Sequence, residues 1–237
     1  MPEIIFITGA NRGIGLGVTQ HLIDAGHTVI ASCRQPDEAV ALREMQKASG
    51  EQLILLRLDV IDEDSALEAV AGIGDRVDRI DVLFNNAGVS PGWDGAVLEE
   101  LDLTQFLPTL ETNIVGSVIV ARACLPLLRR AKSPRVVNVS SGAASLSKAP
   151  SRMHMAYAVS KAGLNMVTRM MAKQLGPEGI TVVSLQPGWI KTDMGGPEAD
   201  LEVDDATSDI AAMLGRITAK DNGDFLDRFG KRSDYAW

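Results

Sequence analysis

Ile4-Ile5-Phe6-Ile7-Thr8-Gly9-Ala10-Asn11-Arg12-Gly13-Ile14-Gly15 is the stretch that decides the fold. It begins as an apolar, β-branched run of buried-strand length and passes through glycines into a helix-period segment. Glycines are needed at such a junction because the chain must turn sharply and let an anion approach the backbone. The helix behind then offers unpaired N–H groups and its positive end to that anion. The order strand, glycine turn, helix predicts a pyrophosphate cradle made by Gly9, Asn11, Arg12, Gly13, Ile14 and Gly15.

Working outward, the same alternation continues to the end of the chain. Apolar runs at 4–8, 28–32, 53–58, 82–85, 136–140 and 181–185 predict strands, with a weak one at 224–227. Helix-period segments at 15–25, 37–47, 62–75, 104–130 and 157–175 lie between them. Short apolar runs between turn signals suit strands buried on both faces. The fold class is therefore α/β, a single doubly wound parallel sheet of about seven strands with helices on both faces. No repeat or linker divides residues 1–237, so one domain is expected. Residues 195–207, rich in Gly, Pro and acids, read as a loop plus a short helix, the place for a lid.

Composition narrows the function. A net charge of −8 argues against broad nucleic-acid binding and against an anionic membrane surface. Two cysteines, Cys33 and Cys124, are too few for a disulfide framework and lack zinc-ligand context, so no metal site is expected. The N-terminus has no basic leader, and no apolar run reads as long enough for a spanning helix. A soluble, cytoplasmic protein with a small-molecule substrate is expected.

The end of the second strand selects the dinucleotide. An acid there would hold a ribose 2′-hydroxyl. Here the strand ends Ala31-Ser32-Cys33-Arg34-Gln35-Pro36, with Arg34 at the tip. Asp37 lies beyond Pro36 and reads as the cap of the next helix. Arg12 and Arg34, converging on one point, suit a 2′-phosphate, and NADP(H) is the expected cofactor.

Tyr157-Ala158-Val159-Ser160-Lys161 opens a helical stretch in which the phenol and the ammonium share a face. A nearby cation favours a phenolate and lowers its pKa, letting Tyr157 exchange a proton with a substrate oxygen. Upstream, Val136-Val137-Asn138-Val139-Ser140-Ser141-Gly142 is a central strand ending in two serines. Successive strand side chains face opposite ways, so only one of Ser140 and Ser141 can reach a substrate carbonyl. Asn85-Asn86-Ala87-Gly88 closes the fourth strand, either as a plain turn or as a passage close to the cofactor. Asn113 sits inside a long helix where Asn is disfavoured, which marks it as functional or as a core amide.

In order and spacing these segments resemble the short-chain dehydrogenase/reductases over essentially the whole chain, most closely the C-factor and sniffer-like carbonyl reductases. The resemblance adds Asp59-Val60 after the third strand and Gln186-Pro187-Gly188-Trp189-Ile190-Lys191-Thr192-Asp193-Met194-Gly195-Gly196 after the sixth, with a short aromatic-ended tail. It implies a Rossmann fold and reduction of a ketone or aldehyde by hydride transfer, with Tyr157 as general acid/base. Lys161 would hold the nicotinamide ribose, Ser141 would polarise the carbonyl, and Asn113 would anchor a water of a proton relay. Asp59 and Val60 would touch the adenine, and Asn86, Ala87 and Gly88 the adjoining ribose and backbone. In the loop after the sixth strand, which begins Pro187-Gly188, Ile190 and Thr192 would fix the carboxamide and phosphates.

Substrate loops are expected at residues 90–97, 142–156 and 189–207, with Trp93, Leu146, Met153, Trp189 and Met194 as candidate substrate contacts. The segment from Ser141 to Tyr157 is longer than in most compact members. His21 and His27 read as structural, His154 as a solvent-facing loop residue, and Met166, Met170 and Met171 as packing. A non-catalytic NADP-binding signalling protein and an NAD-dependent alcohol dehydrogenase are the alternatives, with Tyr157/Lys161 speaking against the first and Arg34 against the second. Relatives associate through the helices after Asn113 and Tyr157, so a homodimer or homotetramer is expected.

Overall fold

A computed structural model describes residues 2–92, 98–148 and 154–235; Trp93 and Met153 lie outside the described residues. Seven strands form one sheet: β1 (Ile4–Thr8), β2 (Thr28–Cys33), β3 (Leu53–Arg57), β4 (Val82–Asn85), β5 (Arg135–Val139), β6 (Thr181–Gln186) and β7 (Phe225–Asp227). The order across the sheet is β3-β2-β1-β4-β5-β6-β7 and every pairing is parallel. The expected strands all form, with ends shifted by no more than one residue.

Seven helices flank the sheet among the described residues: α1 (Gly13–Asp24), α2 (Val40–Ser49), α3 (Glu63–Gly74), α4 (Phe106–Leu110), α5 (Gly116–Leu128), α6 (Met155–Leu175) and α7 (Val203–Leu214). The side-chain alternation of β1 shows why helices cover both faces. Ile5 and Ile7 join Val18, Leu22, Leu42 and Ile210 of α1, α2 and α7. Phe6 joins Ala66, Ile73, Val120, Leu128 and Ala172 of α3, α5 and α6 on the other face. Strand order reverses between β1 and β4, and ligands of open α/β sheets bind in the crevice at such a reversal.

Four local expectations are corrected. Asp37 does not cap α2: it lies in a single 3₁₀ turn, Pro36–Glu38, and α2 begins after Ala39 without a side-chain cap. The short helix expected within residues 195–207 begins at Val203 and outruns that span. It runs on to Leu214 as α7 and packs closely on α1, where Thr207 meets Gly17. Met166 and Met170 do not pack within the chain but stand exposed beside Val159, because α6 turns Leu164, Thr168 and Ala172 inward instead. Finally, Leu103–Leu128 is long and apolar enough, by length and composition, to cross a membrane. It serves here as a core helix: Val120, Cys124 and Leu128 are buried in the cluster under β4 and β5.

The Gly17–Thr207 contact leaves no room for a side chain. A Cβ on Gly17 would lie 2.5 Å from Thr207 Oγ1, which is itself held by Val203 O at 2.7 Å, and 2.9 Å from Thr207 Cβ. Gly72, inside α3, has nothing within 4 Å of such a Cβ. Gly17→Ala is expected to cost about 1–3 kcal/mol through overpacking. Gly72→Ala is expected to gain about 0.5–1 kcal/mol by removing unfolded-state freedom. Opposite shifts of Tm in thermal unfolding check this pair; equal shifts would mean that α7 yields freely.

Candidate active site

The carboxyl ends of β1 and β4 are laced together. Thr8 Oγ1 accepts from the backbone N–H groups of Asn86 and Ala87, each at 3.0 Å. The Asn86 amide returns two bonds, to Thr8 O at 2.9 Å and Gly9 O at 3.0 Å. Gly9 has φ +64°, and a Cβ there would lie 2.9 Å from Ala87 Cα. A Cβ on Gly15 would lie 2.4 Å from Gly9 O. Both glycines are therefore fixed by close backbone approach.

The cradle expected at residues 9–15 is left open to a ligand. Helix α1 has no side-chain cap at Arg12 and no acid in its first turn, in contrast to α3, where Asp62 caps Asp64 and Ser65. Unpaired N–H groups at an uncapped helix start, reached through glycines, fit a dinucleotide pyrophosphate. Thr192 Cγ2 would be 3.3 Å from a Cβ on Gly13, so the loop after β6 borders the same cradle. Within that loop Pro187 and Ile190 are buried, and Gly188 takes φ +96°. Thr192 Oγ1 accepts from Gly195 N at 3.1 Å.

The two arginines do not behave as a pair. Arg12 turns to Asp193, Nη1 to Oδ2 at 3.0 Å, joining the glycine loop to the loop after β6. Arg34 stands exposed just past β2. Asp59 is engaged locally, accepting from Ile61 N at 3.3 Å, and Val60 packs on Gly116.

At the ends of β4 and β5 the other candidates gather. A Cβ on Gly88 would lie 3.2 Å from Asn113 Oδ1 and 3.5 Å from Lys161 Nζ, so these three meet. Asn113 is buried in a π-turn, Glu111–Val115, between α4 and α5. Its Oδ1 accepts from Val89 N at 2.8 Å, and its Nδ2 donates to Val89 O and Ser160 Oγ, each at 2.9 Å. Both amide hydrogens are thus spent, leaving only an oxygen lone pair or the backbone of the wide turn for a water.

Lys161 is buried and donates from Nζ to Val139 O at 2.8 Å; its Nζ lies 5.5 Å from the Tyr157 ring centroid. Burial lowers its pKa to about 8. Tyr157 is half-buried, and here the expected direction is corrected. Burial pushes the phenol above its ordinary pKa, while a hydrogen bond with Ser141 pulls it back only in part. Desolvation outweighs the Ser141 hydrogen bond, and the neighbouring ammonium is turned to the Val139 carbonyl. The serines separate cleanly: Ser140 Oγ points to Lys161 O at 3.4 Å, whereas Ser141 faces the phenol and also accepts from Ala143 N at 3.1 Å.

Several positioning groups escaped the sequence reading. Asn85 donates to Asn138, Asn138 to Thr168 and Ser184 to Thr168, each at 2.9 Å, a polar ladder tying β4, β5 and β6 to α6. Asn138, a lone amide in an apolar strand, was the available signal. His154 is another correction: it is buried and caps α6, its Nδ1 accepting from Ala156 N at 3.3 Å. His21 pairs with Asp204, and His27 accepts from Glu3 N. Of the substrate candidates, Leu146 is strongly exposed, Met194 is exposed, and Trp189 donates from Nε1 to Gly195 O at 2.8 Å. Among the described residues no three His, Cys, Asp or Glu side chains gather as metal ligands.

A parallel sheet with an open glycine cradle at its switch point, beside a Ser, Tyr and Lys cluster, defines a nucleotide-dependent oxidoreductase class. Residues 3–202 match the family model for short chain dehydrogenase, and the chain belongs to the short-chain dehydrogenase/reductase family. It is 39% identical to C-signal of Myxococcus xanthus over 151 residues, 64% of this chain and 90% of that protein. It is 35% identical to oxidoreductase BOA17 of Botryotinia fuckeliana over 201 residues, 83% of this chain and 69% of that one. Among solved structures it resembles the carbonyl reductase Sniffer of D. melanogaster, with TM-score 0.94, 33% identity and full coverage of both chains. An NADPH-bound carbonyl reductase from chicken fatty liver follows at TM-score 0.91 and 32% identity, covering 100% of this chain and 94% of that chain.

The buried lysine gives a pH test. Its folded pKa, about 8, lies below its ordinary 10.5. Below pH 8 the burial penalty is fully present; as pH rises from 8 to 10.5 only the folded state has lost the proton, so stability rises. In denaturant unfolding the wild type should gain stability relative to Lys161→Met across that window. A pH-independent difference would show that Lys161 titrates ordinarily.

Proposed function

We propose that the protein reduces a ketone or aldehyde to an alcohol with NADPH, and that Tyr157 is the general acid. The observation that carries this reading is the Tyr157 phenol of α6 flanked by Lys161 and by the Ser141 hydroxyl past the end of β5, beside the open glycine cradle. When bound, NADPH supplies the hydride. Gly9, Asn11, Arg12, Gly13, Ile14 and Gly15 would hold its pyrophosphate, and Arg34 its 2′-phosphate. Asp59, Val60, Asn86, Ala87 and Gly88 would line its adenosine end. Pro187, Gly188, Ile190 and Thr192 would border its nicotinamide end, with Lys161 on the ribose.

Ser141 donates to the carbonyl oxygen and orients it. Tyr157, kept protonated by burial, delivers its proton to the oxygen as negative charge develops there. Lys161 stabilises the resulting phenolate, and the Asn113 turn holds the lysine's surroundings in place. The chicken carbonyl reductase, described as NADPH-bound, supports this choice of cofactor. The likeness to C-signal favours a second reading, a signalling role, which predicts binding without turnover.

The deciding experiment follows the reduced-nicotinamide absorbance with NADPH or NADH and a panel of ketones, aldehydes and diketones. Tyr157→Phe should lower kcat by about 10²–10⁴-fold, with the Kd for NADPH, read by fluorescence, unchanged. Turnover that survives in Tyr157→Phe would overturn the assignment, and tight NADPH binding without any turnover would move it to the signalling reading.

Asp193 competes with a 2′-phosphate for Arg12. Because that ion pair is exposed and weak, Asp193→Asn should tighten NADPH binding only about two- to five-fold. NADH binding should not change. Equal effects on both nucleotides would separate Arg12 from the 2′-phosphate.

A further inference from the structure

The chain after β7 folds back and reaches the catalytic segment. Asp227 N donates to Lys231 O at 2.7 Å and Ser233 N to Phe225 O at 2.8 Å, with an antiparallel bridge between Leu226 and Arg232. Tyr235 N is held by Ser233 Oγ at 3.2 Å. The Tyr235 ring then lies against Gly142, the residue that follows Ser141. A Cβ on Gly142 would be 2.8 Å from Cε1 and 2.9 Å from Cζ of that ring. Gly142 does not have a positive φ, so its backbone does not demand glycine. What a side chain there would offend is the ring.

The tail also holds the far end of the same segment. Lys148 Nζ donates to Asp234 O at 2.8 Å and lies 5.4 Å from the Tyr235 ring centroid, a cation–π distance. Residues 142–148 are thus fastened at both ends by one aromatic residue and its neighbour. Within that span the side-chain hydrogen bonds are otherwise short-range: Ser145 Oγ with Ser147 Oγ, Ser145 Oγ accepting from Lys148 N, and Ser141 Oγ accepting from Ala143 N. Ala143, Ala144 and Ser145 are buried and their turn packs on α6, so the tail adds the outside hold at Gly142 and Lys148, the two ends of the span.

We propose that Tyr235 is a positioning residue that acts through Gly142 to hold the Ser141 hydroxyl against the Tyr157 phenol and the substrate oxygen. The ring blocks movement of the 141–142 backbone away from Tyr157, while Lys148 and Asp234 keep the ring seated. The phenolic hydroxyl plays no part in this, only the ring does. The role of Ser141 rests on the function proposed above; the mechanical contact does not.

A double-mutant cycle on the full chain tests it. Tyr235→Ala should lower kcat about tenfold, since small misplacements of a catalytic group cost one to two orders of magnitude. The Kd for NADPH should stay unchanged, and Tyr235→Phe should restore wild-type kcat. In a Ser141→Ala background, Tyr235→Ala should cost less than about twofold, because a residue acting through the hydroxyl has nothing left to hold. An equal loss in both backgrounds, or a Tyr235→Ala enzyme with normal kcat, overturns the proposal. Hydrogen exchange without ketone provides an arm independent of turnover: Tyr235→Ala should raise exchange in residues 142–148 and leave the strands unchanged. If the wild type reduces no carbonyl, the proposed reaction fails and this arm alone judges the strap. Unaltered exchange there sinks it.

Discussion

One hydroxyl, that of Thr8, sets the distance between the two central strand ends. It accepts from two consecutive backbone N–H groups across the sheet reversal, and Asn86 answers with two bonds to the backbone around Gly9. The spacing that results is too tight for a methyl group at Gly9 or Gly15. The cradle and the cluster around Asn113 and Lys161 are consequently parts of one hydrogen-bonded junction. Asn86 shapes the glycine turn, and two residues later Gly88 lies against Asn113 and Lys161. Only three residues of backbone, Asn86 to Gly88, separate the two ends.

Burial dominates the electrostatics of the cluster. An ammonium removed from water loses affinity for its proton, and a phenol removed from water holds on to its own. The shifts run in opposite directions and set the two groups apart: the phenol holds its proton more firmly, and the ammonium releases its own more readily. The Val139 carbonyl stabilises the charged lysine enough for it to remain in place, and the ladder through Asn138 and Thr168 secures the helix that carries both groups. Burial sets the direction of each shift, and these hydrogen bonds keep the two groups where burial acts on them.

Much of this architecture was legible in the sequence because it is written locally. The apolar runs, the glycine turn and the four-residue spacing of Tyr157 and Lys161 are short-range patterns with short-range causes. What escaped depends on partners distant in the chain. Arg12 reads as a free cation until the fold brings in Asp193, 181 residues away. His154 reads as a surface residue until its ring is buried at the start of α6. Met166 and Met170 have the composition of a core and the helical phase of a surface. The Tyr157 shift likewise depends on how much water the fold excludes, which no spacing encodes.

The π-turn at Glu111–Val115 acts as a phase shifter within one long helix. A single extra residue in a turn rotates everything beyond it by about 100° while leaving the axis nearly straight. The helix therefore addresses two different neighbours: α4 and the wide turn lie against α6, whereas α5 lies against α3 and the strands. Asn113 occupies the seam between those two settings, clamped to Val89. Chain length is under tighter control there than residue type. Dropping one residue from the seam would rewind the helix, swing the buried face of α5 out of the core, and pull the amide away from the loop it secures.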